Sequence, residues 1–536
     1  MTKPIKRSAK RYSRRQALDL TGKFSLGTLL GISAFETLST KARAQVGDIP
    51  PSEKLLFVFT ASGGGSILDS FMARRESEVP GSDGLICYPD AYVQNFGGDG
   101  GEPGSELRAL DLPPTWRQYL PGVTGNGYSQ ATFLQRHAQD TAVMASECTS
   151  VNHLVAQGRA MTGAGVDRGR SIVEAIAAQY GDGRALPAVN MATNGYLEPG
   201  TDRNLPDYAR AEAVVQPLFL PLTVDGMRGM RTAPAADVAA APTGSNLDRA
   251  RALRDRARSV RNTIDDESAF GQTFACSPQR EEFLRDRAAS LLLEDQDLIS
   301  KLMYLSDADL GGALSALGLD SSPDGPAVRS VVQANPGGGE TSVFNNSIYA
   351  QVTLAFLLAK YGFSSSIALG PSINPPANEL LINPPLSFDF SHNNHVATQS
   401  VMWSRCLDAV DKLIALLKTA GTDDGGTLWD RSLIYIASDF GRDRVRPTGP
   451  VTDLQNGVST GHHLSNGAVL ISPMIAGNRV YGGVDSSNLH TYGFNPTTGA
   501  ADPSVIYREH DVYSAVAQTL GYSFNGQTPL PVLMRS

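Results

Sequence analysis

Histidines and carboxylates gather in three short polar segments of this chain. Asp389, His392 and His395 lie within SFDFSHNNH (387–395), Asp439 follows the apolar run IYIAS in SDFGR (438–442), and His462 and His463 stand in STGHHLSN (459–466) just ahead of AVLIS. Imidazole nitrogen and carboxylate oxygen are strong ligands of divalent cations such as zinc, so the three segments could converge on one metal. The same side chains could instead be loop hydrogen-bonding groups. Asp439 and Arg442 could form an ion pair at a turn, and His153 could be a satisfied polar residue at a helix start. His137, His490 and His510 carry no functional expectation.

Convergence needs elements that bring distant segments to one edge. KLLFVFT (54–60) is a continuous apolar run that fits a strand buried on both faces, and it runs into the glycine turn Gly63-Gly64-Gly65. Further apolar runs at 142–145, 365–369, 432–437 and 468–472 alternate with helical patterns at 171–181, 346–361 and 395–420. That alternation predicts an α/β fold with a mostly parallel sheet sandwiched by helices, whose carboxyl edge is where such sheets place ligands. Residues 78–130 read as long surface loops. Between 204 and 309 the chain is rich in Ala, Arg, Asp and Leu without strand signals, which predicts a helical insertion, and the Pro/Gly-rich 321–339 reads as a linker. The expected organisation is therefore a targeting segment (1–44), the first half of the α/β domain (45–203), the insertion (204–309) and the second half (310–536).

The block SLIYIASDFGR, then GHH, then an apolar strand and NRVYGGVD (432–485) resembles the exported family called domain of unknown function 1501, within the alkaline phosphatase and sulfatase superfamily. The resemblance extends through NNSIYAQVTLAFLLAKYGF and FDFSHNNH and, more faintly, to the first strand and the Val151-Asn152-His153 segment; it leaves out the helical insertion. It implies an alkaline-phosphatase-like fold and a metal-dependent hydrolase of phosphate or sulfate esters, with divalent metals, usually zinc, at the carboxyl edge of the sheet. Asp389 and His392 resemble the family's Asp-x-x-x-His pair, one residue short, so that His395 could stand in. His463 resembles the late histidine of that site. Asp439 resembles the aspartate of a second site whose neighbouring histidine is Phe440 here, and Asp69 lies three residues beyond Ser66, which occupies the place of the early aspartate. Thr149, Ser150 and Asn152 occupy the nucleophile region, with Ser150 the candidate nucleophile, and Arg442 could hold an anionic group. Ser66 and Phe440 favour the alternative of a catalytically degenerate binding protein at the periplasm or cell surface. Cys276-Ser277-Pro278-Gln279-Arg280 fits the C-x-P-x-R core of sulfatase cysteines, but Arg285-Asp286 stands where Thr-Gly follows it there, so Cys276 is expected to be buried or disulfide-bonded.

The amino terminus carries its own instruction. Lys3, Lys6, Arg7, Lys10 and Arg11 form a basic region, SRRQAL (13–18) is the pattern read by the twin-arginine translocase, and FSLGTLLGISAF (24–35) is an apolar stretch. That stretch falls short of the roughly 20 residues a membrane span needs. Ala42-Arg43-Ala44 supplies a small-x-small cleavage site, so the expected product is periplasmic or secreted, begins at Gln45 and has no membrane anchor. Removing the segment leaves 36 basic and 52 acidic residues, a formal −16. Such a surface repels nucleic acid and anionic lipid. The expected partners are a small anionic ester or a cell-surface component, besides the translocase during export. Four cysteines, none in a CxxC pair, are too few for a disulfide scaffold.

Overall fold

A computed structural model describes residues 53–213 and 347–535, except 80, 82–83, 98–105, 114–115, 117–127, 183, 185, 193, 361, 371–386, 393 and 446–457. The twin-arginine segment, residues 214–309 of the expected helical insertion with Cys276, and the 321–339 linker lie outside the described residues.

The apolar runs form one sheet. In chain order its strands are β1 (Leu55–Ala61), β4 (Thr141–Glu147), β5 (Ala188–Met191), β6 (Glu212–Ala213), β7 (Ser366–Leu369), β8 (Ser432–Ser438), β11 (Ser465–Ile471) and β12 (Arg479–Tyr481). Their order across the sheet is β12-β4-β11-β8-β1-β7-β5-β6, the last contributing only two residues at one edge. β1 pairs in parallel with β8 and β7, β7 with β5, and β4 with β12; only β11 runs against its neighbours β4 and β8. The carboxyl ends of β1, β4 and β8 therefore share an edge with the amino end of β11. That edge collects Gly63, the 148–153 segment, Asp439 and the 459–464 segment.

Both faces of the sheet are covered, as a continuous apolar strand requires. Leu56 and Val58 pack with α3 (Ile172–Tyr180) and α6 (Glu509–Thr519), while Phe57 and Phe59, which alternate with them, are fully buried as well. α3 starts where Ser171 accepts a hydrogen bond from the Glu174 amide and Glu174 Oε2 accepts from the Ser171 amide, a reciprocal cap. The remaining helices are α1 (Gln130–His137), α2 (His153–Thr162), α4 (Ser347–Lys360) and α5 (His395–Thr419); α5 contacts both α1 and α4. No described helix is long and apolar enough to cross a membrane.

The 78–130 region differs from its reading as surface loops. β2 (Val93–Phe96) and β3 (Leu107–Leu110) pair as an antiparallel ribbon, and Ile86, Tyr88, Val93, Leu110 and Trp116 form a small core with Val396 of α5. These apolar residues stand singly among Gly, Pro and Asp, so no periodicity announces their burial.

Candidate functional site

Two glycines at the end of β1 begin the site. Gly63 (φ +90°) and Gly64 (φ +85°) occupy the left-handed region, and their amides both donate to the Asp439 carboxylate, at 3.2 and 2.7 Å. Only glycine fits here: a Cβ on Gly63 would lie 2.3 Å from the Asp389 amide nitrogen, and one on Gly64 would lie 2.7 Å from Arg442 Nε. Asp439, at the end of β8, is wholly buried and also accepts from Gln157 Nε2 at 3.1 Å and from His153 Nδ1 at 3.0 Å. Its four partners fix its orientation, and it fixes that of the His153 ring.

His153 is the first residue of α2, capped by Asn152, whose side chain accepts from the Val155 amide. With Nδ1 given to Asp439, its Nε2 lies 3.3 Å from Asp389 Oδ1. His392 Nε2 stands 3.3 Å from the same oxygen and 2.8 Å from His462 Nε2. The potential ligand atoms of His153, Asp389, His392 and His462, all half-buried, lie within 4.8 Å of one another.

Hydrogen bonding settles which nitrogens can bind a cation. His462 Nδ1 lies 2.8 Å from the Val151 carbonyl, which can only accept, so the proton sits on Nδ1 and the Nε2 lone pair faces the cluster. Burial keeps the His462 imidazole below its ordinary pKa, and the cationic His153 and Arg442 nearby act the same way. The His153 pKa rises to about 9, because Asp389 and then Asp439 accept from its charged form. Partial burial opposes ionisation of Asp389, yet His153 and Arg442 beside it hold its carboxyl well below the usual range. Three imidazoles and one carboxylate fit a tetrahedral site, whose ligand atoms stand about 3.3 Å apart for bonds near 2.0–2.1 Å. The distances of 2.8, 3.3 and 3.3 Å, with 4.0 Å between His462 Nε2 and Asp389 Oδ1, bracket that spacing.

Asp389, His392, His462 and His153 are thus brought together, with Asp439 one residue further out. His463 is not among them. In the two-residue strand β10 (His462–His463), paired with β9 (Gly441–Arg442), successive side chains point to opposite faces, so one histidine at most can face the cluster. His463 Nδ1 instead accepts from the Ser465 amide at 3.1 Å, and its ring meets His490 edge-on, with centroids 4.7 Å apart. A neutral imidazole accepting at Nδ1 carries its proton on Nε2, so no lone pair remains to bind a cation.

The other expected residues have separate settings. Asp69 lies in a buried ion pair with Arg444 Nη1 at 2.6 Å; His395 Nε2 is 3.1 Å away, and Tyr88 donates its hydroxyl to it. His395, which could have stood in as a ligand, is the buried first residue of α5 and faces Asp69 and the Thr460 hydroxyl instead. Arg442 is fully buried; its Nη2 donates to the Gly63 and Phe388 carbonyls and to Asp389 Oδ1 (3.0 Å), and its Nη1 to the Thr460 carbonyl. It pairs with Asp389 rather than with Asp439, and it joins the ends of three segments rather than facing solvent. Ser150 Oγ accepts from the Asn152 amide at 3.2 Å in the turn before α2. Phe440 stacks on the His462 ring, with centroids 4.0 Å apart.

His153 and His462 are the members of the cluster least legible in the sequence. Alternation along a strand marks the adjacent pair His462-His463 as able to give only one ligand. His153 opens a helix directly after a polar strand end, as ligands at a carboxyl edge do. The sequence matches no family model, and neither a curated protein nor a solved structure is significantly similar to it.

Proposed function

We propose that this chain is an exported, metal-dependent hydrolase of phosphate or sulfate esters with an alkaline-phosphatase-like architecture, holding one divalent cation, zinc by ligand chemistry, on His153, Asp389, His392 and His462. The observation that carries this reading is the convergence of three imidazoles and a carboxylate at the carboxyl edge of a mostly parallel sheet. A bound divalent cation supplies Lewis-acid polarisation of an ester oxygen there. The protein's own part is positional. Asp439 holds the His153 ring by its Nδ1, the Val151 carbonyl holds the His462 ring, and Arg442 keeps Asp389 ionised and aimed. Ser150 lies three residues before His153 and adjoins Val151, whose carbonyl holds His462, and it is the candidate nucleophile. The twin-arginine pattern supports export, since that route carries folded proteins with their metals in place.

Two features favour the second reading, a non-catalytic binding protein. Phe440 fills the place where a second-site histidine would stand, and Asp69 is committed to Arg444. Metal analysis of the protein purified from an exporting host, with a panel of phosphate and sulfate esters, tests both. Stoichiometric zinc with turnover that Ser150→Ala abolishes supports the hydrolase. Zinc without turnover of any ester supports the binding protein, and absence of bound metal after zinc loading rejects the hydrolase and gives the binding protein the lead.

A further inference from the structure

Exposed apolar side chains concentrate around the histidine cluster. Among the described residues, Val151 (40% exposed), Leu154 (55%), Val155 (46%) and Leu464 (42%) belong to the two short segments that also supply His153 and His462. Leu154 adjoins His153 and Val151 lies two residues before it, while Leu464 lies two residues beyond His462. Backbone geometry ties the segments together: His462 Nδ1 donates to the Val151 carbonyl at 2.8 Å, and the Cys148 amide donates to the Leu464 carbonyl at 2.8 Å.

Folding does not account for this apolar rim. The buried face of α2 is formed by Ala156, Gln157, Ala160 and Met161, so Leu154 and Val155 point away from it. The first turn of a helix favours acidic residues, yet α2 has none there and carries His153, Leu154 and Val155 instead. Clustered apolar surface beside a polar centre marks a binding site. A ligand that satisfies both parts has an anionic head at the cluster and an apolar substituent on the rim.

Building on the ester-hydrolase reading, we propose that the alcohol portion of the substrate is apolar, an aryl or alkyl group lying on Val151, Leu154, Val155 and Leu464. This makes those four side chains specificity determinants and excludes sugar and nucleoside esters as preferred substrates, because their hydroxyls would lose water against an apolar surface without regaining hydrogen bonds.

Non-hydrolysable phosphonates separate head from tail. Calorimetric titration of the zinc-loaded mature protein with methylphosphonate and with phenylphosphonate should show the phenyl compound bound about ten-fold more tightly, as expected for a ring partly buried on an apolar rim. The double variant Leu154→Ser/Val155→Ser should bring the two affinities together while leaving zinc content and methylphosphonate affinity unchanged. Equal affinities in the wild type, or a ratio that survives in the double variant, would overturn the proposal and leave the metal reading standing. Binding of phenylphosphonate but not methylphosphonate, lost in the variant, supports the apolar rim while rejecting recognition of the anionic head. Binding of neither compound by fully zinc-loaded protein overturns both readings together.

Discussion

Asp439 Oδ2 lies 3.0 Å from His153 Nδ1 although 286 positions separate the two residues, and the sheet is what joins them. β8 ends at Ser438, β4 ends at Glu147, and both deliver their next residues to one edge. A carboxylate on the far nitrogen of a ligating imidazole fixes the ring and raises its basicity, and losing it costs about 10–100-fold in metal affinity in known sites. Asp439→Asn should therefore weaken zinc binding by about that factor while the four ligands remain. Competition against a chromophoric chelator measures it; an affinity unchanged from wild type would separate Asp439 from the site.

The two adjacent histidines of β10 should behave differently. His462→Ala removes a lone pair that faces the cluster, so zinc content should fall and the thermal stabilisation given by added zinc should shrink, since a ligand stabilises only the state that binds it. At 100 times Kd that stabilisation is about 2.7 kcal/mol for the wild type. His463→Ala should keep both. Atomic absorption paired with melting curves decides it, and the reverse pattern would restore His463 as the ligand.

In the metal-free protein, His153 makes stability depend on pH in a defined direction. Its folded pKa is raised to about 9 by Asp389 and Asp439, above the roughly 6.5 of a free imidazole. The native state therefore binds the proton more tightly than the unfolded state. The resulting stability is fully present below about pH 6.5 and is lost as pH rises through about 9. Zinc acts oppositely, because it must displace that proton, so its affinity should rise over the same window. Melting temperatures of wild type and His153→Gln in chelator, from pH 6 to 10, should converge at the alkaline end; a wild-type advantage that grows with pH would refute the assignment.

Long apolar runs made the sheet legible, because Leu55–Ala61 and Ser432–Ser438 are buried on both faces and write their environment into composition. Helix ends were legible for local reasons, as at Ser171 and Gly181. Adjacent residues in the site were less so. His462 and His463 are chemically alike, and only pairing with Gly441–Arg442 decides which one faces the cluster. Arg442 reads as an anion-binding group until its depth is known, since nothing in DFGR signals that the Gly63, Phe388 and Thr460 carbonyls already occupy it. Burial of Ile86 and Tyr88 likewise depends on Val396, some 300 positions away.

Asp69 gives the sharpest contrast between a ligand role and a structural one. Its carboxylate and the Arg444 guanidinium are 0% and 2% exposed and 2.6 Å apart, and the charge on Arg444 keeps Asp69 ionised despite its burial. Removing one member of a buried pair strands the other without solvent, which costs about 3–5 kcal/mol. Asp69→Asn retains the volume but not the charge, so it should lower the denaturation midpoint strongly. The four residues of the cluster are others, and none of the hydrogen bonds that orient them runs through Asp69. Zinc per folded molecule should therefore stay at the wild-type value, measured on the monodisperse fraction after gel filtration. If instead Asp69→Asn loses zinc at unchanged stability, Asp69 is a ligand and the buried pair with Arg444 is not its native partner.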